Sequence, residues 1–214
     1  KALTALVMAM LYERGLFSYD DLVAKYWPEF APNGKEKITI GQVMSHRAGI
    51  PQDLPIPLRE YGNREAIAKA VEELQPRWAP GTANGYHAST YGWVLDELAM
   101  RLTGHNVASL LRTEVTEPLG IKDVYIGLPE SEYQRFCTMA VLDPTTAGRA
   151  AFSDFIDSRE GISLPLPWVA GIANAWDLAR IFNIFAFEGT FAGHTFVKKE
   201  TQVLISRPTN SPGD

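Results

Sequence analysis

Cysteine and histidine are scarce in this sequence. Cys137 is the only cysteine, which excludes an internal disulfide framework and a metal site built from cysteines. The four histidines show no His-x-x-x-His spacing, so a zinc site has little support; they are His46, His87, His105 and His194. The glycines also lack the Gly-rich pattern beside a strand that binds phosphate. The sequence therefore implies neither a metal nor an organic cofactor.

Basic clusters and long apolar runs are missing as well. The net charge is −5, and the absence of a basic block argues against a nucleic-acid partner, because phosphate binding needs clustered Lys and Arg. The longest apolar run, residues 5–11, is far shorter than the roughly 20 residues of a membrane span. With 46% hydrophobic and 21% charged residues, the composition is that of a globular domain. The sequence leaves the compartment and the oligomeric state open.

Helical periodicity dominates what is present. Apolar residues at i, i+3, i+4, i+7 and i+8 predict a helix over residues 2–14 with one buried face, and Gly15 ends it; the face consists of Leu3, Leu6, Val7, Met10 and Leu11. Capping and breaking signals predict further helices over residues 20–25, 40–46, 64–74, 90–102, 107–116, 175–187 and 199–206. For the first of these we expect Ser18 or Asp20 to provide the cap.

Strand signals are few. Residues 124–127 and 138–142 are the better candidates, and residues 191–197 predict a hairpin-like excursion. Residues 145–167 are predicted to be irregular. No linker or internal repeat divides the sequence, so we expect an α+β fold that is mostly α, in one body with little sheet. The first residue falls inside a predicted helix and the last residues have loop composition, so we expect residues 1–214 to be one partial domain.

Four short patterns follow one another along the chain. Lys1 stands at the head of an apolar helix, and Ile38-Thr39-Ile40 leads to the segment Ser45-His46-Arg47-Ala48-Gly49-Ile50-Pro51. Trp78-Ala79-Pro80-Gly81-Thr82 precedes Tyr86-His87, and Asn174-Ala175-Trp176-Asp177-Leu178-Ala179-Arg180 starts a late helix. Each pattern alone is weak, and their order and spacing make the set specific.

In this order the patterns resemble the β-lactamase-related serine hydrolases, which include class C β-lactamases, penicillin-binding proteins and family VIII esterases. The resemblance extends over nearly the whole chain, including Glu117-Pro118-Leu119-Gly120 and Leu128-Pro129-Glu130. It is closest to the esterase-like and animal β-lactamase-like branches, because Tyr86-His87-Ala88 stands where antibiotic-degrading members have Tyr-x-Asn. It implies the helical region of the serine β-lactamase/transpeptidase fold without most of the central antiparallel sheet.

The resemblance implies a catalytic role for Lys1, as the lysine of a Ser-x-x-Lys motif. Residues three apart on a helix share a face, so a lysine at this spacing reaches the serine oxygen and takes its proton. The helix N-terminus and burial both favour the neutral amine that a base requires. The alternative is an ordinary exposed lysine. The serine itself, three places earlier, is not in this sequence.

Tyr86 is the second catalytic residue that the resemblance implies, with a hydroxyl that relays a proton to the leaving group. The alternative is an aromatic side chain that packs at a helix entry. His87 and Ala88 would line the substrate pocket, although His87 is equally explained as a structural residue, since no carboxylate at this spacing would orient it. We interpret His46 and its turn as structural.

The sequence therefore predicts a hydrolase that attacks an ester, amide or lactam carbonyl of a small molecule or short peptide through an acyl-serine intermediate. Two departures from the family pattern limit the prediction: the serine and the late Lys-Thr-Gly or His-x-Gly strand motif are both absent from these 214 residues. The alternative is an inactive homologue that serves as a scaffold or self-assembling protein.

Overall fold

The computed structural model describes residues 1–138 and 147–209. Within these residues, ten α-helices are joined by loops and two small antiparallel ribbons. The helices in chain order are α1 (Ala2–Glu13), α2 (Val23–Tyr26), α3 (Ile40–Met44), α4 (Arg64–Glu73), α5 (Thr90–Thr103), α6 (Val107–Leu111), α7 (Ala147–Asp157), α8 (Arg159–Ser163), α9 (Ala175–Ala186) and α10 (Lys199–Ile205). The mostly helical prediction is confirmed.

The two ribbons each contain two strands. Strand β1 (Val124–Ile126) pairs with β2 (Gly171–Ala173), with Tyr125 opposite Ile172. Strands β3 (Thr190–Phe191) and β4 (His194–Thr195) form the second ribbon, which confirms the hairpin predicted over residues 191–197. The sequence did not predict β2. The strand predicted over residues 138–142 falls almost wholly outside the described residues.

Helix α1 lies at the centre of the core. It is buried on all sides by α5, α6 and α10, which is more than the single buried face that the periodicity predicted. Its buried residues are Leu3, Thr4, Leu6, Val7, Met8, Ala9, Met10 and Leu11. Each large apolar side chain removed from water contributes about 1.5–3 kcal/mol, so α1 is a main source of the stability of the fold.

Side-chain caps fix four of the eight predicted helix starts. The Thr39 hydroxyl accepts from the Gln42 amide while the Gln42 side chain accepts from the Thr39 amide, which is a complete capping box at α3. Asn63, Asn106 and Asn174 cap α4, α6 and α9 in the simpler way, each accepting a backbone N–H three residues on. Local sequence chemistry therefore sets these boundaries without help from the tertiary fold.

The prediction for α2 was wrong in its start and its cap. The helix begins only at Val23, and the Asp21 carboxylate accepts bonds from the Ser18 amide and from the side chains of Lys25 and Tyr26. Asp21 is thereby committed to a turn before the helix. Leu22, directly before the helix, is extended and bridges to Thr39 as an isolated antiparallel pair.

The prediction of an irregular segment over residues 145–167 was also wrong. Helix α7 occupies the alanine-rich part, and α8 follows it after Ser158, whose hydroxyl accepts from the Gly161 amide. The alanines favour a helix, and Ser158 is a good cap. The prolines lie after α8, where they end it.

No helix in the described part of the chain is long and apolar enough to cross a membrane.

Candidate active site

Lys1 is the N-cap residue of α1, and its side chain is half-buried. Its Nζ donates to the carbonyl oxygens of Ala88, at 2.6 Å, and Trp168, at 3.3 Å. The amino group is therefore held between two segments that are distant in sequence. An ordinary exposed lysine, the alternative for this residue, would not have these two fixed acceptors.

Tyr86 lies beside Lys1. The Lys1 Nζ is 4.9 Å from the centre of the Tyr86 ring, and Tyr86 is 65% exposed. A second tyrosine, Tyr91 at the start of α5, has its ring centre 5.5 Å from the same nitrogen but is buried. Burial raises the pKa of Tyr91 to about 12, with a further contribution from Tyr86, so its hydroxyl stays protonated. Tyr86 is thus the tyrosine of this pair that is open to an incoming molecule.

The loop that carries Tyr86 is shaped by Trp78. The Trp78 indole donates its Nε1–H to the Ala83 carbonyl at 3.1 Å. A Cβ on Gly85 would lie 2.4 Å from the Trp78 ring, so only glycine fits at this approach. Pro80-Gly81 makes the turn between them, with Gly81 at φ +85°, a left-handed value that glycine adopts without strain. The Trp-x-Pro-Gly-Thr pattern therefore closes the loop that presents Tyr86.

Backbone hydrogen bonds connect the turn after α3 to the loop that carries Tyr86. The Gly81 amide donates to the Arg47 carbonyl, the Gly85 amide to the His46 carbonyl and the Arg77 amide to the Gly49 carbonyl. Gly49 is also required by close approach, since a Cβ there would lie 2.6 Å from the Trp78 carbonyl oxygen. The Ser-His-Arg-Ala-Gly-Ile-Pro segment is therefore the support on which the Tyr86 loop rests.

His87 is buried, with 1% exposure. Its Nε2 accepts from the Ile50 amide at 3.0 Å, which leaves Nδ1 to donate to the Gly85 carbonyl. Burial lowers the pKa of His87, while the Gly85 contact opposes that shift, so the ring is neutral at pH 7. Both ring nitrogens are thus occupied inside the protein, and of the two roles considered for His87 this geometry favours the structural one.

Ala88 is half-buried, and its methyl side chain offers no polar group. Its backbone carbonyl accepts from Lys1, a contribution that the sequence did not indicate because every residue type carries the same carbonyl. Trp168 was missed for the same reason. Its carbonyl reaches Lys1 because Gly92 allows close packing, since a Cβ on Gly92 would lie 2.7 Å from the Trp168 backbone nitrogen.

A cavity of about 470 Å³ lies elsewhere, along β1 and β2 and beneath α8. Its lining includes Cys137 and the ion pair of Arg135 with Asp123, together with apolar side chains. Neither Lys1 nor Tyr86 lines it. Because catalysis needs a base and a proton relay at the reacting atom, we place the candidate active site at Lys1 and Tyr86. Among the residues described, no group of three or more His, Cys, Asp or Glu side chains is placed to hold a metal ion.

Solved structures with a similar fold show to which class of protein this chain belongs. The fold matches that of a family VIII carboxylesterase crystal structure with a TM-score of 0.87 and 30% identity, over 97% of this chain and 59% of the other. A penicillin-binding protein homologue from Caulobacter crescentus gives a TM-score of 0.75 and 32% identity, over 94% of this chain and 57% of the other. The described structure is thus the helical region of the serine β-lactamase/transpeptidase fold, with only two small ribbons of sheet among the described residues.

The family model Beta-lactamase matches residues 1–214, and the chain belongs to that family. The esterase/beta-lactamase LipL of Mycobacterium tuberculosis is 29% identical over 97% of this chain and 54% of its own length. The chain therefore spans about half the length of the curated relatives it matches. The resemblance inferred from the four short patterns is confirmed.

Proposed function

We propose that the full-length protein containing this chain is a serine hydrolase that cleaves an ester, amide or lactam carbonyl through an acyl-serine intermediate. Family membership and the likeness to a carboxylesterase support the hydrolase class. The observation that carries the proposal is the pairing of Lys1 at the head of α1 with the exposed Tyr86, 4.9 Å from Nζ to ring centre. This pairing provides two proton-transfer groups at one point of the surface.

Lys1 is proposed as the base that activates the nucleophile. A neutral amine has two N–H donors and one lone pair. The carbonyls of Ala88 and Trp168 accept two N–H bonds, which leaves the lone pair to take the proton of a hydroxyl group. A positioned base of this kind contributes about 10²–10⁴-fold to the rate.

The nucleophile is proposed to be a serine three residues before Lys1 in the full-length protein. That spacing places both side chains on one helical face. Its Oγ bonds to the carbonyl carbon as Lys1 takes the proton, and Tyr86 then donates a proton to the leaving oxygen or nitrogen as that bond breaks. Water releases the acyl group by the reverse sequence of proton transfers. The oxyanion is stabilised by backbone N–H groups outside this chain.

Among carbonyl substrates, we propose small or short-chain esters as the preferred class. Ala88 stands two places after Tyr86, where antibiotic-degrading relatives have a side-chain amide. A methyl group cannot hydrogen-bond to the amide of a β-lactam, and a site without that donor loses discrimination for such substrates. An ester needs no such contact for cleavage.

The test uses the full-length protein with a fluorophosphonate probe, a p-nitrophenyl ester and a chromogenic cephalosporin. We expect the probe to label the serine three residues before Lys1, and the ester to be hydrolysed faster than the cephalosporin. A residue other than Ser, Thr or Cys at the labelled position would contradict the hydrolase proposal. It would favour the alternative, an inactive homologue that serves as a scaffold. No geometric feature of the described residues supports that alternative.

A further inference from the structure

We infer that His46 is a positioning residue that fixes the backbone on both sides of Tyr86 and thereby sets the distance between its hydroxyl and the Lys1 amine. The inference rests on the proposed function, because it assigns the role through Tyr86. Sequence reasoning treated His46 as part of a structural turn only. Three observations carry the inference: its conformation, its two bonds to the Tyr86 loop, and its ring contacts.

The first observation is a strained conformation at a position that usually belongs to glycine. Helix α3 ends with the His46 amide donating to Val43 and the Arg47 amide donating to Gln42, which is the Schellman pattern. The residue at the turning point of this pattern adopts a left-handed conformation, and His46 does so with φ +61°. Glycine adopts this conformation without cost, whereas a histidine does not. Such strain often marks a site where the side chain has a function.

The second observation is that His46 bonds to both neighbours of Tyr86. Its backbone carbonyl accepts from the Gly85 amide at 3.1 Å, and its ring Nδ1 accepts from the His87 amide at 3.1 Å. The contact is reciprocal, because the Nε2 of His87 accepts from the Ile50 amide at 3.0 Å in the same turn. The backbone before and after Tyr86 is therefore held by one residue, and a glycine at position 46 would provide only one of the two bonds.

The third observation concerns the rings. The His46 ring centre lies 4.9 Å from that of Tyr86 and 5.1 Å from that of Tyr91. Both tyrosine rings also lie near the Lys1 Nζ. Tyr86 is largely exposed, so without this contact its side chain would have few neighbours to limit its rotation. His46 thus restrains both the backbone and the ring of the residue that is to transfer the proton. A misplacement of about 1 Å of a catalytic group can cost about 10²-fold in rate.

The acceptor role of Nδ1 requires a neutral imidazole. Burial, together with His87 and Lys1, lowers the pKa of His46 to about 4. The groups that face its ring are Lys1, Tyr86, His87 and Tyr91, and none of them is a carboxylate that would favour the imidazolium. The ring is therefore available as an acceptor at neutral pH.

Two variants separate positioning from simple folding. His46→Gly keeps the left-handed backbone and the carbonyl bond to Gly85 but removes the ring acceptor. His46→Asn also tolerates the left-handed conformation, and its short carbonyl can replace Nδ1. We expect His46→Gly to lower kcat of the full-length protein about 10- to 100-fold, with KM and the melting temperature little changed, and His46→Asn to retain most of the wild-type kcat.

The deciding experiment is a double-mutant cycle of His46→Gly with Tyr86→Phe, in which kcat is measured for each protein. If His46 acts through Tyr86, the glycine substitution has no further effect once the hydroxyl is gone. An equal loss in both backgrounds, or a normal kcat in His46→Gly while Tyr86→Phe is slow, would overturn the positioning role and leave the proposed function intact. A normal kcat in Tyr86→Phe would instead refute the role of Tyr86 itself, and the role of His46 with it.

Discussion

The Nζ of Lys1 is 4.9 Å from the ring centre of Tyr86, although one residue heads the first helix and the other lies on a loop before α5. Two carbonyls, from Ala88 and Trp168, hold the lysine in place. The tyrosine is held by a loop tied to the turn after α3. The two partners are thus linked, because the Ala88 carbonyl that holds the lysine lies two residues after Tyr86 on the same segment.

The first prediction separates the two tyrosines near Lys1. In the full-length protein, Tyr86→Phe should lower turnover about 10²–10⁴-fold, the usual contribution of a positioned proton transfer. Tyr91→Phe should retain turnover, because the Tyr91 hydroxyl is buried and its raised pKa, about 12, keeps it protonated. Lys1→Ala should abolish acylation. Steady-state ester hydrolysis and melting temperature on the same samples provide the measurement, and full activity in Tyr86→Phe would assign that ring to packing.

A second prediction concerns stability in acid. Burial lowers the pKa values of His46, to about 4, and of His87 below their ordinary value of 6.5. Below pH 6.5 the unfolded chain therefore binds protons that the folded protein does not, and the free energy of unfolding falls as the pH decreases toward 4. Urea denaturation between pH 7 and pH 4 should show this decline. It should be shallower in His46→Asn, and an identical slope in that variant would contradict the assignment.

Lys35 provides a third prediction. This side chain is fully buried, and its Nζ donates to the carbonyls of Pro32, Glu72 and Leu74, which ties the end of α4 to the loop before α3. Burial lowers the pKa of Lys35 to about 8, so it remains mainly protonated at pH 7. Lys35→Met keeps the volume but removes the shared donor of three carbonyls, of which that of Glu72 also accepts a hydrogen bond from the Asn33 side chain.

We expect that substitution to cost about 2–4 kcal/mol in the free energy of unfolding. Lys37→Met is the matched control, because Lys37 is exposed and its loss should change stability by less than about 0.5 kcal/mol. Denaturant titration of both variants measures the difference. Equal effects of the two substitutions would show that the three carbonyl contacts contribute nothing.

The fourth prediction concerns residues 1–214 expressed alone. This polypeptide should have no hydrolase activity, because the proposed serine lies outside it. The absence of most of the family's sheet from these residues predicts an exposed apolar face on α1, with Leu3, Val7 and Met10 the residues most affected. That expectation was wrong, since α5, α6 and α10 bury all three.

Three large exposed apolar side chains lie instead on and just after α9, where Trp176 is 76% exposed, Phe182 42% and Phe187 59%. Exposed apolar surface of this kind favours association. We therefore expect the isolated polypeptide to self-associate in size-exclusion chromatography, and Trp176→Lys with Phe182→Lys to restore the monomer. Val203→Lys, at an exposed site on α10, should not. A soluble wild-type monomer with esterase activity that depends on Lys1 would refute both parts of the prediction.

Much of the helical content could be predicted because it is encoded locally. Thr39, Asn63, Asn106 and Asn174 each accept a backbone N–H three residues on, and such a cap works in any context. The helix after Asn174 was predicted to within one residue of its observed end. At α2 the same kind of signal gave the wrong boundary, because Ser18, one of the two expected caps, accepts from the Asp20 amide in a turn that precedes the helix.

The sequence by itself determined the family and the two residues proposed for catalysis, since the order of short patterns around Lys1 and Tyr86 is readable without a structure. Only the tertiary structure decided how the two are held. The carbonyls of Ala88 and Trp168 carry no side-chain signature, and the strand Gly171–Ala173 exists only because Val124–Ile126 pairs with it. His46 reaches the amides on both sides of Tyr86 because two segments distant in the chain fold against each other. Backbone groups are identical at every position, so contacts made by them are determined by packing and not by residue identity.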